Sequence, residues 1–234
     1  MRTSATVGSS VVGPIASGFA TGRGWARERG AFLLKSPVVE TKDRRRSGFP
    51  FRSDQLCLDF VASVAKRDMG DVELLNTGDD LQTWLYVAGL SPTLGPVTGD
   101  QLGSARQLRE AINHVTRARV DGHRPEPACI DVINRAAVFG PPHQTLSIDG
   151  TTAVPAPPAP VEQILSIVAR DAIDLFSGTF RDRVRRCLGH DCSLYFVDRS
   201  RRGGRRWCSM AACGEKASSA SYRARQRATT GSPA

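Results

Sequence analysis

CLGHDCSLYFVDRSRRGGRRWCSMAAC, residues 187–213, holds four of the six cysteines of this 234-residue chain. The pair Cys187 and Cys192 and the pair Cys208 and Cys213 each enclose four residues, and fifteen residues separate the pairs. Two short-spaced pairs can bend toward each other and supply zinc with a tetrahedron of soft ligands. The sequence therefore predicts one structural Zn²⁺ held by these four cysteines.

Two other uses of this stretch remain open. His190, inside the first pair, could replace a cysteine as a ligand, although four cysteines already complete the tetrahedron. Disulfides are less favoured than zinc, because secreted disulfide scaffolds are usually short and dense in cysteine. The chain is longer than such scaffolds, and Gly13 and Pro14 interrupt the apolar run that a secretion signal would need. We therefore expect a cytoplasmic protein.

The residues between and after the cysteine pairs predict a small zinc finger. Leu194–Val197 and Arg205–Cys208 have the composition of two strands, and Gly203-Gly204 suits the turn of a hairpin between them. The residues after Cys213 are rich in Ala and Arg and lack Pro, which predicts a helix starting at the second pair. The turn between Cys187 and Cys192, which we call the first knuckle, is followed by a hairpin and a helix. This order predicts a treble-clef-like finger.

This finger is strongly basic. Four thiolates and one Zn²⁺ carry a net charge of about −2, which one or two cations would balance. The surplus of arginine favours a polyanion, because the planar guanidinium suits phosphate and guanine edges. We expect DNA, with RNA or an acidic protein as alternatives. The predicted DNA contacts are Arg199, Arg201, Arg202, Arg205, Arg206, Lys216, Arg223, Arg225 and Arg227.

The charge of the chain divides it into segments. The formal net charge is +9, yet residues 54–180 contain nine basic and sixteen acidic groups, while residues 1–53 contain ten and three and residues 181–227 contain thirteen and four. An acidic body between two basic flanks indicates that one end meets a polyanion. The predicted segments are a disordered basic extension over 1–48, a helical body over 49–180, the finger over 181–227 and a disordered tail over 228–234.

The body is predicted to be mainly α-helical. Apolar residues recur at helical spacing, with Asp79 and Asp80 at a helix start and Gly89 at its end. Asp149-Gly150 predicts the turn of a small hairpin within residues 144–154. No run of about 18 apolar residues is present, so no membrane span is expected. The predicted helices are 56–66, 79–89, 98–120, 127–137 and 164–178.

Two parts of the chain resemble known domains. Residues 187–227, with CLGHDC, LYFVDRSRRGGRRWCSMAACG and YRARQR, resemble the CGNR zinc finger of bacterial transcription regulators. The body resembles the ABATE domain that precedes this finger, through LCLDF at 56–60, ELLNTGDDLQTWLYVAGL at 73–90 and RQLREAI at 106–112. The resemblance covers residues 49–227. It implies a stress-induced regulator whose finger binds DNA and whose body senses a small molecule.

The sequence departs from the pattern of that family at two places. Glu215 and Lys216 follow Cys213-Gly214 where the family has Asn and Arg, and Lys cannot form the bidentate fork of Arg. Ala62 and Ser63 stand where relatives commonly carry Asn and Thr, which removes polar groups from the first helix of the body. We expect altered DNA specificity or weaker DNA binding from the first change, and the second change argues against a ligand contact at these two positions.

The leading functional hypothesis is a zinc-dependent DNA-binding transcription regulator, in which the body is a sensor or a dimerisation domain. The alternative is a ligand- or protein-interaction module whose finger is only a structural or protein-contact element. Trp84 and Phe60 could line a ligand pocket in either case, although apolar stripes are more often core. Enzymatic activity is not expected, because the sequence lacks GxxxxGK[ST], HExxH and GxSxG, and a closed four-cysteine site gives water no place on zinc.

Overall fold

The computed structural model describes residues 44–143, 145–154 and 157–230. The predicted basic extension therefore lies outside the described residues up to residue 43. Its last residues, however, belong to the fold: strand β1, Arg45–Arg46, pairs antiparallel with β2, Phe49–Pro50. Arg46 lies over the ring of Phe51 at 4.9 Å and donates to the carbonyl of Val87 at 3.1 Å. Ordered structure thus extends at least five residues upstream of the predicted start at Phe49.

The architecture is mainly α, as predicted, with short antiparallel hairpins between the helices. In the described part of the chain the helices are α1 Leu56–Val61, α2 Gly78–Val87, α3 Gly99–Val120, α4 Pro127–Val138, α5 Val161–Ser177 and α6 Glu215–Thr230. The further strands are β3 Val64–Ala65, β4 Val72–Glu73, β5 Thr145–Leu146, β6 Ala153–Val154, β7 Val184–Arg186 and β8 Tyr195–Val197. No helix among these residues is long and apolar enough to cross a membrane.

Helices α2 and α3 begin with the same device. The Thr77 hydroxyl accepts from the amide of Asp80, whose carboxylate accepts from the amide of Thr77, and Thr98 and Gln101 form the same reciprocal pair in α3. Such a capping box satisfies amides that the helix itself leaves without partners. The N-cap of α2 is thus Thr77, and the predicted Asp80 is its partner.

Helix α1 is shorter than the predicted 56–66. The Ser63 hydroxyl donates to the carbonyl of Phe60 at 2.7 Å, and Val64 then pairs with Glu73 in the β3–β4 hairpin. Lys66 and Asp68 adopt positive φ angles of 54° and 64°, which a right-handed helix does not accept. The apolar run continues past residue 61 because the following strand is also buried.

The core of the body lies between helices α1 to α5. Trp84 is fully buried between Phe51, at 5.9 Å between ring centroids, and Phe60, at 4.8 Å. Each large apolar side chain removed from water contributes about 1.5–3 kcal/mol, and aromatic pairs add about 0.5–1.5 kcal/mol. Trp84 and Phe60, which were considered for a ligand pocket, are therefore core residues.

The predicted hairpin near Asp149-Gly150 is present as β5 and β6, with Gly150 at φ 69° in the turn. Leu146 and Ile148 of this hairpin do not reach the core, since both are exposed. At the other end of the chain, α6 extends to Thr230, so three residues of the predicted disordered tail are helical.

The finger contains a hairpin, but between other strands than predicted. Strand β8 pairs antiparallel with β7 on the upstream side of the first cysteine pair, with Val184 opposite Val197. Residues 205–208 form no strand, because the Arg205 amide donates to the Asp198 carboxylate and the Arg206 carbonyl accepts from the amide of Leu188. The loop 198–207 is therefore folded back by a buried side chain, which strand propensity does not reveal.

Candidate metal centre and basic surface

The four cysteines of the finger meet at one point. Their Sγ atoms all lie within 4.8 Å of one another, with 3.8 Å between Cys192 and Cys208 and 3.7 Å between Cys208 and Cys213. Four thiolates at about 2.3 Å from a tetrahedral zinc are about 3.8 Å apart. The cluster thus fits a single structural zinc ion, with Cys187 as its fourth member.

The backbone around the cluster favours thiolates. The amides of Gly189 and Cys208 point at the Sγ of Cys187, at 3.4 and 3.3 Å. Cys213 lies in a π-helical turn, Met210–Gly214, which leads directly into α6. The amide-rich start of a helix stabilises negative charge. The second cysteine pair thus lies at the N-terminal end of a helix, as the sequence predicts.

The thiols of the cluster perturb one another. Hydrogen bonds from the thiols of Cys192 and Cys208 lower the pKa of Cys187 to about 2, and the same contact raises the pKa of Cys192 to about 12. Hydrogen bonding to Cys187 raises the pKa of Cys208, and burial raises that of Cys213. Zinc binds cysteine as the thiolate, so metal binding at this cluster is coupled to the release of protons.

His190 does not belong to this cluster. Its side chain is exposed, and its Nδ1 lies 2.9 Å from the carboxylate of the neighbouring Asp191. The alternative in which His190 replaces a cysteine receives no support from this position.

Asp198 organises the arginine-rich loop that follows β8. Its buried carboxylate accepts from the amide and the hydroxyl of Ser200, at 2.9 and 2.6 Å, and from the amide of Arg205 at 3.0 Å. Burial opposes its ionisation, but these hydrogen bonds lower the pKa of Asp198 below its ordinary value. Arg183 closes the base of the loop by donating to the carbonyl of Asp198 at 2.9 Å.

Two of the predicted DNA contacts also contact Asp54 of the body. Arg205 donates to the Asp54 carboxylate at 2.5 Å and to the carbonyls of Trp207 and Cys208, and it lies over the ring of Phe196. Arg199 donates to the Asp54 carbonyl at 3.2 Å and lies over the ring of Phe180.

The remaining predicted contacts lie on the outside of the finger. Arg206 is exposed beside the ring of Trp207, at 5.1 Å, and the cations of α6 follow the second cysteine pair. The side chain of Arg227 is outside the described part of the structure. Exposed members of the predicted set are Arg199, Arg201, Arg202, Arg206, Lys216, Arg223 and Arg225.

The two departures from the family pattern acquire structural roles. Ala62 is buried against the cysteines, in one cluster with Cys187 and Phe196. The buried Ser63 hydroxyl accepts from Arg109 at 3.2 Å. Glu215 is the first residue of α6, where a negative charge favours the helix dipole.

Two residues of this site were not singled out from the sequence. Asp54 and Asp198 are each an acid within or near a basic segment, and neither follows a motif. Asp54 is held between Arg44, at 2.9 Å, and Arg205. Burial opposes ionisation of Asp54, but hydrogen bonds from both arginines lower its pKa. An acidic residue within a basic stretch was the one sequence feature that could have identified them.

Comparison with protein families matches both parts of the chain. Residues 54–179 match the ABATE model, described as "Putative stress-induced transcription regulator". Residues 183–226 match the CGNR zinc finger. No curated protein matches the chain. These matches confirm the resemblance seen in the sequence, and the first of them spans more than half of the chain.

Proposed function

Since the chain belongs to the ABATE family and carries a CGNR zinc finger, we propose that it regulates transcription by binding DNA through that finger. The zinc ion is structural in this proposal, because four cysteines leave it no open position for water or substrate. The helical body serves as the sensor or dimerisation domain, and no catalytic step is assigned to the protein. Binding to DNA would place it in the bacterial cytoplasm.

The observation that carries this proposal is the exposed basic loop beside the metal centre. Arg201, Arg202 and Arg206 are exposed on a loop whose backbone is tied to Asp198. A fixed loop pays little ordering entropy when it binds, so its guanidinium groups suit a rigid array of phosphates. The loop conformation, rather than charge alone, supports a nucleic-acid interface.

Helix α6 adds a second part to this surface. Lys216 and Arg223 are seven residues apart and share one face of the helix, and both are exposed. The residues between them on that face, Ser219 and Ala220, are small and exposed. Small side chains flanked by cations let a helix approach the major groove closely. We place α6 in or beside that groove.

The salt dependence of binding tests this surface. If about six cations neutralise phosphates, log K should fall with log salt with a slope near −5. Arg206→Ala should reduce that slope by about 1 while zinc stays bound, because one phosphate contact is lost. Arg124→Ala removes an equal charge from an exposed position of the body and should leave the slope unchanged. Equal effects of both variants would refute the assignment of the finger as the binding surface.

Sequence recognition needs a separate experiment. Zinc-loaded protein is mixed with sheared genomic DNA at near-physiological salt, and the bound fragments are sequenced. A regulator should enrich one motif, whereas uniform recovery would leave a binder that does not read sequence. Failure to recover DNA would contradict the proposed function.

One observation favours the alternative of an interaction module. Apolar side chains are exposed at the end of α4 and on the β5–β6 hairpin: Val138, Phe139, Leu146 and Ile148. Exposed apolar surface often marks a protein contact or a dimer interface. Sedimentation of wild-type protein and of Ile148→Ser distinguishes the cases, since loss of self-association in the variant would assign this surface to a dimer.

A further inference from the structure

The β7–β8 hairpin of the finger has two buried faces. Val184, Tyr195 and Val197 belong to the hydrophobic core of the helical body. Phe196 belongs with Leu194 to the smaller core that surrounds the cysteines. Side chains alternate between the two faces of a strand, so one hairpin takes part in both cores.

The exchange between the two cores is reciprocal. Ala62, which directly follows α1 of the body, is 2% exposed and lies in the cysteine cluster with Phe196 and Cys208. Each core therefore contains residues from the other part of the chain. The family matches end at residue 179 and begin again at residue 183, but the packing crosses that boundary.

Polar contacts join the same surfaces. The amide of Val197 donates to the Ser53 carbonyl at 2.9 Å, and the Asp54 carboxylate pairs with Arg205 at 2.5 Å. The Gln55 side-chain oxygen accepts from Arg199 at 2.7 Å, and its amide nitrogen donates to the carboxylate of Asp171 in α5 at 2.8 Å. The segment just before α1 thus links the finger to α5 of the body.

The finger has little core of its own. Among the described residues its buried apolar cluster contains seven members, of which three are cysteines and one is Ala62 of the body. A core of this size does not offset the entropy of ordering some 40 residues without a metal or a partner. Zinc and the packing against the body are the two available sources of the missing stability.

We propose that the helical body and the finger form one cooperative folding unit, so that metal bound at the four cysteines stabilises the body as well as the finger. Loss of the metal frees the cysteines that pack against Phe196 of β8. The hairpin then no longer supports Val184, Tyr195 and Val197 in the core of the body. Metal occupancy is in this way transmitted to α1, α3 and α5. The inference concerns folding and does not depend on DNA binding.

Hydrogen exchange on the full-length protein tests this coupling. Zinc-loaded protein is compared with protein stripped by a chelator under reducing conditions, and exchange is followed in peptides from α3, α5 and the β7–β8 hairpin. We expect protection to fall by about tenfold or more in all three, because they open together. Loss of protection confined to the finger, with α3 and α5 unchanged, would overturn the proposal.

A second comparison keeps the metal in place. Asp54→Asn removes the charge that joins Arg205 to the body while Asn still tolerates the positive φ of 57° at this position. With zinc bound, protection should fall together in α1 and in the hairpin. Asp131→Asn, at an exposed position on α4, is the matched control and should change neither. An effect of Asp54→Asn on one side alone would show two independent units and contradict the proposal.

Discussion

Gly189 is the residue of the first knuckle that most directly controls the geometry of the metal centre. A methyl group at this position would lie 3.0 Å from the Sγ of Cys213 and 3.1 Å from the Cβ of Cys192. Both atoms belong to cysteines of the metal cluster, so neither can move without displacing a ligand sulfur. The glycine is needed for close approach, since no side chain fits between the two cysteine pairs.

We therefore expect Gly189→Ala to weaken zinc binding by about 10–100-fold, the usual effect of disturbing the surroundings of a ligand. Competition with a chromophoric chelator measures the affinity. Gly204→Ala is the control, because a methyl group there meets no atom within 4 Å. Unchanged affinity in Gly189→Ala would show that the knuckle can relax.

Asp59 gives the body a pH-dependent stability. Burial raises the pKa of its carboxyl to about 7, although the amide of Ser53 donates to it at 2.9 Å. A folded-state pKa above the unfolded value of about 3.9 means that the folded protein binds this proton more tightly. The contribution of Asp59 to the free energy of unfolding is therefore highest below pH 4 and falls as the pH rises to about 7.

Asp59→Asn should remove this dependence, because the amide stays neutral and can still accept from Ser53. Relative to wild type, the variant should gain stability as the pH rises from about 5.5 to 7, by at most about 1.4 kcal/mol per pH unit. Urea unfolding of both proteins at matched pH with saturating zinc measures the difference. A constant difference over this range would mean that Asp59 does not titrate there.

At the scale of the element, α2 and α3 provide a matched pair of helix starts. Both begin with Gly after a threonine cap, but their surroundings differ. A methyl group on Gly78 would lie 2.3 Å from the carbonyl oxygen of Val97, whereas one on Gly99 would meet no atom within 4 Å. Only the first glycine is required by packing.

Gly78→Ala should accordingly destabilise the protein by about 1–3 kcal/mol, because the backbone at Val97 must move. Gly99→Ala should instead stabilise it by about 0.4–1 kcal/mol, since it restricts the unfolded chain at an open position. Urea unfolding of the two variants measures both values. Effects of the same sign would contradict the different roles of these glycines.

Element starts and ends could be predicted to the extent that local interactions set them. Asp80 and Gly89 were readable because a capping box and a left-handed glycine are encoded within a few residues. The strand that pairs with β8 could not be predicted. Arg205–Cys208 has strand-like composition, but the Arg205 amide donates to the Asp198 carboxylate instead of to a neighbouring strand. The four cysteines could be located from spacing alone, whereas the engagement of Arg199 and Arg205 with Asp54 depends on residues about 150 positions away.

At the scale of the whole molecule, α6 differs from the other helices. Of its residues 215–223 all but Ala217 are exposed, whereas α5 buries Ile164, Val168 and Ala172. Most helices in proteins are stabilised by packing, and an isolated helix of this length is marginal in water. Up to Arg223, the helix proposed to meet DNA therefore has little tertiary packing beyond its first turn.

We expect amides of Ser218–Arg223 to exchange much faster than those of α5 in free protein, and to slow when duplex DNA is added, because binding orders the helix. Hydrogen exchange with and without DNA measures both. Linear duplex DNA of random sequence, at low salt, is a sufficient probe. Protection of α6 equal to that of α5 in free protein would show that another contact supports it.

The β7–β8 hairpin, with its two buried faces, also limits how the finger and the body can evolve separately. Recombination in the three residues between the two family matches, 180–182, would bring β7 and β8 to a body that had no matching surface for Tyr195. A larger residue at position 62 would likewise demand a compensating change at Phe196, since both occupy the same cluster. Finger and body should thus descend as a matched set, with paired substitutions across the boundary rather than free exchange of modules.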